Sequence, residues 1–201
     1  DERTLVRPYL GAFAQVVGQK MVEIVVELEM AGFGTAGPAA PTAGYDALLR
    51  ACGLQRVVTA GTKVDYNPIS QTPFDSITVY YEIDGMIHKA FGCRGTLTLD
   101  MQTGKIPSYK MTLDGVYGGV SDGSVGTPAT GAYQAPRAVN SANTTGLELF
   151  GVNTLSLRAF SLDLGNKVNR ATYGVETETG RISDRQVTGK CSIERTLTAT
   201  V

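Results

Sequence analysis

The sequence predicts a mainly β fold: two packed antiparallel sheets in a sandwich or barrel-like arrangement, with one flanking α-helix and long loops. Three observations carry that prediction. Stretches of alternating apolar and polar residues recur at roughly 8–12-residue spacing. Turn signals such as Asp84-Gly85 and Thr103-Gly104 stand between them, and only one short segment has helical period. With 201 residues and 42% hydrophobic content, the chain suffices for one core, so a single domain over 1–201 is expected.

Met21–Met30 reads MVEIVVELEM. Val22, Ile24, Val26, Leu28 and Met30 fall on one side, and Glu23, Val25, Glu27 and Glu29 on the other, which makes a strand with one wet, acidic face. Residues 31–43 are rich in Gly, Ala and Pro, free of charge, and predict a loop. Tyr45–Ala51 is the one convincing helix, because Ala47, Leu48, Ala51 and Cys52 make an apolar face and Gly53 supplies a stop. Short strands are expected at Val57–Val58 and Lys63–Tyr66, followed by a loop over 67–76 that holds Pro68 and Pro73.

Ile77–Ile83 alternates and ends in the hairpin signal Asp84-Gly85. The return strand Met86–Gly92 is expected to bend through Cys93 and Arg94 into another strand over Thr96–Asp100, and Thr103-Gly104 then turns the chain into Ile106–Val116. Gly85, Gly92, Gly95 and Gly104 are therefore the candidate bend and turn positions of a four-stranded meander. Residues 118–146 are glycine-rich and predict a long loop. Strand character resumes over Leu147–Leu149, Leu155–Leu164, Ser183–Glu194 and Thr196–Val201, with a turn at Gly165-Asn166.

Charge excludes one class of partner. Eighteen Lys and Arg against nineteen Asp and Glu leave a formal charge of -1, without the basic footprint that holds polyphosphate by counterion release. Cys52, Cys93 and Cys191 lie far apart with no C-x-x-C, and are expected to be free thiols of a reducing compartment. No apolar stretch approaches the ~18–20 residues that span a bilayer, and no secretory signal pattern is present. The opening at Asp1, without an initiator Met, is compatible with a longer N-terminal arm.

Several tempting motifs fail on mechanism. Gly32, Gly34 and Gly37 match a dinucleotide fingerprint, but Pro38 and Pro41 separate them from the helix whose N-terminus would face a pyrophosphate. Gly119-x-Ser121-x-Gly123 resembles a nucleophile elbow, but the following DGSVGTPATG does not make the helix that an elbow requires. His88, the sole histidine, lies near Cys93 with no further ligand to complete a coordination shell. Glu27 and Glu29 share a face in the way solvent-facing strand glutamates do, and the sequon at Asn143 lacks a secretory context. No catalytic residue, metal or cofactor is expected.

Six stretches, in order, resemble one family: LVRPYLG, VEIVVELEMAGFGTAG, YDALLRACGL, the long segment ITVYYEIDGMIHKAFGCRGTLTLDMQTGKIPSYKMTLDGVYG, LDLGNKV and ISDRQVTGK. Together they are similar to the tail tube proteins of long flexible-tailed bacteriophages and related phage-like particles, over most of the chain. Cys93 in GCRGT stands where alanine is more usual, a small-for-small change. The resemblance implies two packed sheets with a flanking helix, a ring of six subunits, and rings stacked into a hollow tube through which the genome leaves.

It also implies partners: the chain itself, then tail terminator, tape measure and baseplate proteins, with genomic DNA passing without specific binding and no membrane insertion. The implied location is the virion tail, assembled in the host bacterial cytoplasm. A neutral or acidic lining keeps DNA sliding, which makes Glu23, Glu27, Glu29, Asp100 and Asp114 the candidate lumen-facing residues. An N-terminal arm over 1–20 and loops 31–43, 67–76 and 118–146 are candidates for ring-to-ring contacts. The competing readings are a tail terminator or contractile-system tube protein, a β-barrel module for a small apolar ligand, and, last, a hydrolase using His88 and Ser121.

Overall fold

A computed structural model describes residues 20–32, 45–59, 61–71, 73–124, 126–127, 134–145, 148, 151, 155–170 and 180–195. The expected arm over 1–19, most of loop 31–43, the segments Leu147–Leu149 and Thr196–Val201, and parts of 118–146 lie outside the described residues or mostly so.

The described elements are β1 (Met21–Glu29), α1 (Asp46–Ala51), β2 (Leu54–Thr59), β3 (Lys63–Pro68), β4 (Ile77–Ile83), β5 (Met86–Gln102), β6 (Ser108–Asp122), β7 (Leu155–Asp163), β8 (Asn166–Arg170), β9 (Gly180–Arg185) and β10 (Thr188–Arg195). The fold is mainly strand, with one short helix and no closed barrel. One six-stranded antiparallel sheet runs in the order β1-β6-β5-β7-β10, with β4 also paired to β5; β2–β3 and β8–β9 are separate two-stranded ribbons.

Period-two alternation sorts the large sheet into two faces. On one face, rows run straight across the strands: Glu27 opposite Lys110, Lys110 opposite Thr98, Thr98 opposite Asp163. On the other face Val22, Ile24, Met111, Leu113 and Leu97 collect, and α1 with the start of β2 covers their middle. Leu49, Ala51, Cys52 and Leu54 meet Ala90, Cys93, Leu97, Met111 and Leu113 there, and Met111, Leu113, Cys52 and Cys93 are fully buried. Gly95 belongs to the same close packing, since a Cβ on it would lie 2.0 Å from the carbonyl oxygen of Thr112.

The expected four-stranded meander is a three-stranded one. Met86–Gly92 and Thr96–Asp100 are parts of a single 17-residue strand, β5, whose period breaks at a β-bulge. Between Phe91 and Arg94 the strand advances three residues while β6 advances two, from Val116 to Asp114. Gly92, at φ 59, supplies the left-handed residue that such a bulge accommodates. The apolar positions consequently change from Ala90 to Cys93, Gly95 and Leu97, which places His88 and Cys93 on the same side of the sheet. Opposite parity, the expectation from an unbroken strand, does not hold.

Other boundaries move outward. β2 and β3 pair along six residues each, and β6 continues to Asp122 instead of giving way to a loop at 118. The stretch Ser183–Glu194 is two strands, β9 and β10, joined through Gln186 and Val187. Asp84 and Gly85, both at positive φ, make the β4–β5 turn, and Gly104, at φ 81, lies between β5 and β6.

Candidate functional site

Polar anchors lock one region around α1. The Asn166 amide, buried in the protein, donates to the carbonyls of Cys52 (2.7 Å) and Gly95 (2.9 Å). Arg185 donates from Nε to Asn166 Oδ1 (2.6 Å), and from its terminal nitrogens to the carbonyls of Gly53 (2.9 Å) and Ile69 (3.2 Å). Arg94 bonds the carbonyls of Phe74, Asp75 and Gly180. Two guanidinium forks and one amide therefore join the β8–β9 ribbon, the end of α1 and the 69–75 segment to β5.

The buried Asp46 carboxylate completes this region. It accepts from Arg56 (2.8 Å) and from the Tyr66 hydroxyl (2.6 Å), and Arg50 lies at 3.3 Å. Burial and that hydrogen bond push the Tyr66 hydroxyl well above its ordinary range. Burial pushes the Cys52 thiol up to about 12, with nearby Arg185 acting in the opposite direction. Burial also raises Cys93 and lowers Arg94, the latter helped by nearby Arg181. These are structural groups held in one protonation state. Sequence reading missed Asn166, for which a turn was expected, and its signal was faint: one Asn after one Gly.

The polar face of the large sheet holds the five acidic candidates, in different settings. Glu23 and Asp114 lie opposite one another on β1 and β6, and Arg170 of β8 bonds both, at 3.3 Å for Glu23 and 2.9 Å from its Nε to Asp114. Asp114 is mostly covered, its side chain 14% exposed. Glu27, Glu29 and Asp100 lie farther along and are exposed, Glu27 facing Lys110 across the ladder. One row of paired positions crosses the sheet as Glu29, Ser108, Asp100, Ser161 and Lys190.

The opposite end of the molecule is apolar and bare. Tyr80 (53%), Tyr81 (60%), Ile83 (47%), Met86 (44%), Phe91 (43%) and Val120 (44%) are all exposed on β4, β5 and the end of β6. Register places Tyr81, Ile83, Met86 and Val120 on one side of this hairpin arm and Tyr80 and Phe91 on the other. The first side continues into a groove of about 680 Å³, lined by Val22, Ile24, Val79, Tyr81, Ile83 and His88 among others. His88 is thus a wall residue, its ring 6.5 Å from that of Tyr81. Ser121 pairs with Ile87 and faces away from His88, so these two do not meet.

Among the described residues no group of three His, Cys, Asp or Glu side chains could hold a metal ion, and no helix is long and apolar enough to cross a membrane. No described strand lies beyond β1 or β10, and the side chains of β10 from Thr188 to Glu194 are exposed on both faces. What the arrangement offers is surface for association. Comparison with curated proteins and with solved structures returned no match. A family model described as phage tail tube protein matches residues 1–201, the whole chain, and the protein therefore belongs to that structural, non-enzymatic family of the phage tail.

Proposed function

We propose that this subunit forms hexameric rings that stack into the hollow tail tube, and that the tube conducts the genome out of the particle. The observation that carries the reading is the hairpin arm, which exposes large apolar side chains on both sides: Tyr81, Ile83, Met86 and Val120 on one, Tyr80 and Phe91 on the other. A monomeric protein rarely shows such a contiguous patch, whereas a subunit covered by its neighbours requires one. Full burial of a large apolar side chain contributes roughly 1.5–3 kcal/mol, so six that are about half exposed leave ~4–9 kcal/mol per subunit for association to gain.

The polar sheet face, with Glu27, Glu29 and Asp100, is our candidate for the lumen wall. Serine and threonine rows with dispersed acidic charge repel or ignore phosphate, while a basic wall would grip it. Glu23 and Asp114 contribute less there, since Arg170 offsets their charge. Tail terminator, tape measure and baseplate proteins are the expected end and interior partners, and the host cytoplasm the expected place of assembly.

Light scattering after size exclusion, followed by negative-stain microscopy of the purified protein, tests the reading. Long hollow tubes of six-fold rings are expected. A single closed ring that never stacks would favour a terminator, and a stable monomer at high concentration would remove the reading.

A further inference from the structure

We infer that one seam closes the ring: β10 of each copy lies alongside β1 of the next, in parallel, with Lys190 set against Glu27 and Glu29. The inference rests on the ring proposed above and specifies its interface. β1 and β10 are the two ends of the strand row β1-β6-β5-β7-β10, and among the described residues nothing flanks either. An edge strand bare on both faces, as β10 is, is a template for further pairing.

Charge selects between the possible outer edges. On the polar face β1 presents Glu23, Glu27 and Glu29, and β10 presents Lys190 at the far end of the row that Glu29 begins. The outer strand β4 presents Glu82 on that same face, so pairing it with β1 of a neighbour would set like charges side by side. On the apolar face the same parallel register sets Cys191 of β10 beside Leu28 and Met30, the residues that follow Glu27 and Glu29. Only the β10 edge matches β1 in both charge and hydrophobicity.

Strand direction follows from topology. Four successive antiparallel pairings separate β1 from β10, so the two run the same way within one subunit. Rotation about the ring axis preserves that sense, and the seam between copies is parallel even though the pairings within the sheet are antiparallel.

Charge exchange and cross-linking test the seam in the full chain. Lys190→Glu alone, and Glu27→Lys with Glu29→Lys, should each lower the assembled fraction at least tenfold, and the triple variant should recover it. Independently, Leu28→Cys or Met30→Cys with native Cys191 should give, on mild oxidation, a non-reducing ladder reaching six subunits that Cys191→Ser abolishes. If wild-type rings form, Lys190→Glu still assembles and neither cysteine variant cross-links, the seam is wrong while the ring stands. If the wild-type chain forms no ring at all, both fall together.

Discussion

The α1 region and the β4–β5 arm lie on one sheet and treat their polar and apolar groups in opposite ways. Around α1 the backbone carbonyls of Cys52, Gly53, Ile69, Phe74, Asp75 and Gly95 meet donors from Asn166, Arg185 and Arg94, and apolar side chains close over Cys52 and Met111. On the arm, the aromatic and aliphatic side chains stand exposed, and the ladder, the tight Asp84-Gly85 turn and a hydrogen bond from Ser124 to Glu82 hold the shape. The subunit thus carries its own stability at one end and leaves the other end incomplete until neighbours arrive.

If that division is correct, substitutions at the two ends should separate stability from assembly. The largest stability effect is expected for Asn166→Ala, which strips two buried carbonyls of their donor and Arg185 of its acceptor: a loss of about 3 kcal/mol in urea unfolding of the monomer. A loss below about 1 kcal/mol would show that the anchors are incidental.

The next effect is alkaline. Folded Cys52 keeps its proton to about 12, whereas the unfolded thiol releases it near 9.0, so the folded state binds more protons between those values. Stability is therefore full below pH 9 and falls as pH rises toward 12, by roughly 2–4 kcal/mol for this group. Tyr66 adds a loss of the same sign at higher pH. Urea midpoints measured from pH 8 to 11 should fall for the wild type and fall less for Cys52→Ala.

The smallest effect on the monomer belongs to the arm. Ile83→Ser should change monomer unfolding by less than about 1 kcal/mol, because the side chain is already half exposed. The same variant should shorten or abolish tubes in negative stain. Tubes of normal length would break the comparison by showing that the arm is not covered in the assembly.

The sequence carried the strand-rich fold and the helix position well, because alternation in β1, β4 and β6 is a local signal that burial preserves. It misled at Gly92, where an interrupted period looks the same whether the chain turns or bulges; only the pairing of β5 with β6 distinguishes them. The acidic candidates were legible as a face, while the offset of Glu23 and Asp114 by Arg170 was not, since that arginine lies 147 and 56 residues away in the chain. Asn166 and Arg185 were invisible for the same reason: their partners are backbone carbonyls, which no residue type announces.

The bulge at Gly92 means that β5 is read in two frames, even-numbered positions inward before it and odd-numbered positions inward after it. Pairing straight through that point without the bulge would exchange the two skins of the arm, turning Lys89 and Phe91 to the core side and His88 and Ala90 away from it, whereas deleting Gly92 would leave an unbroken alternation with both skins in place. The arm's inside and outside are thus assigned by counting residues as much as by their chemistry. One residue inserted through 91–94 should accordingly disturb the arm more than the loss of Gly92.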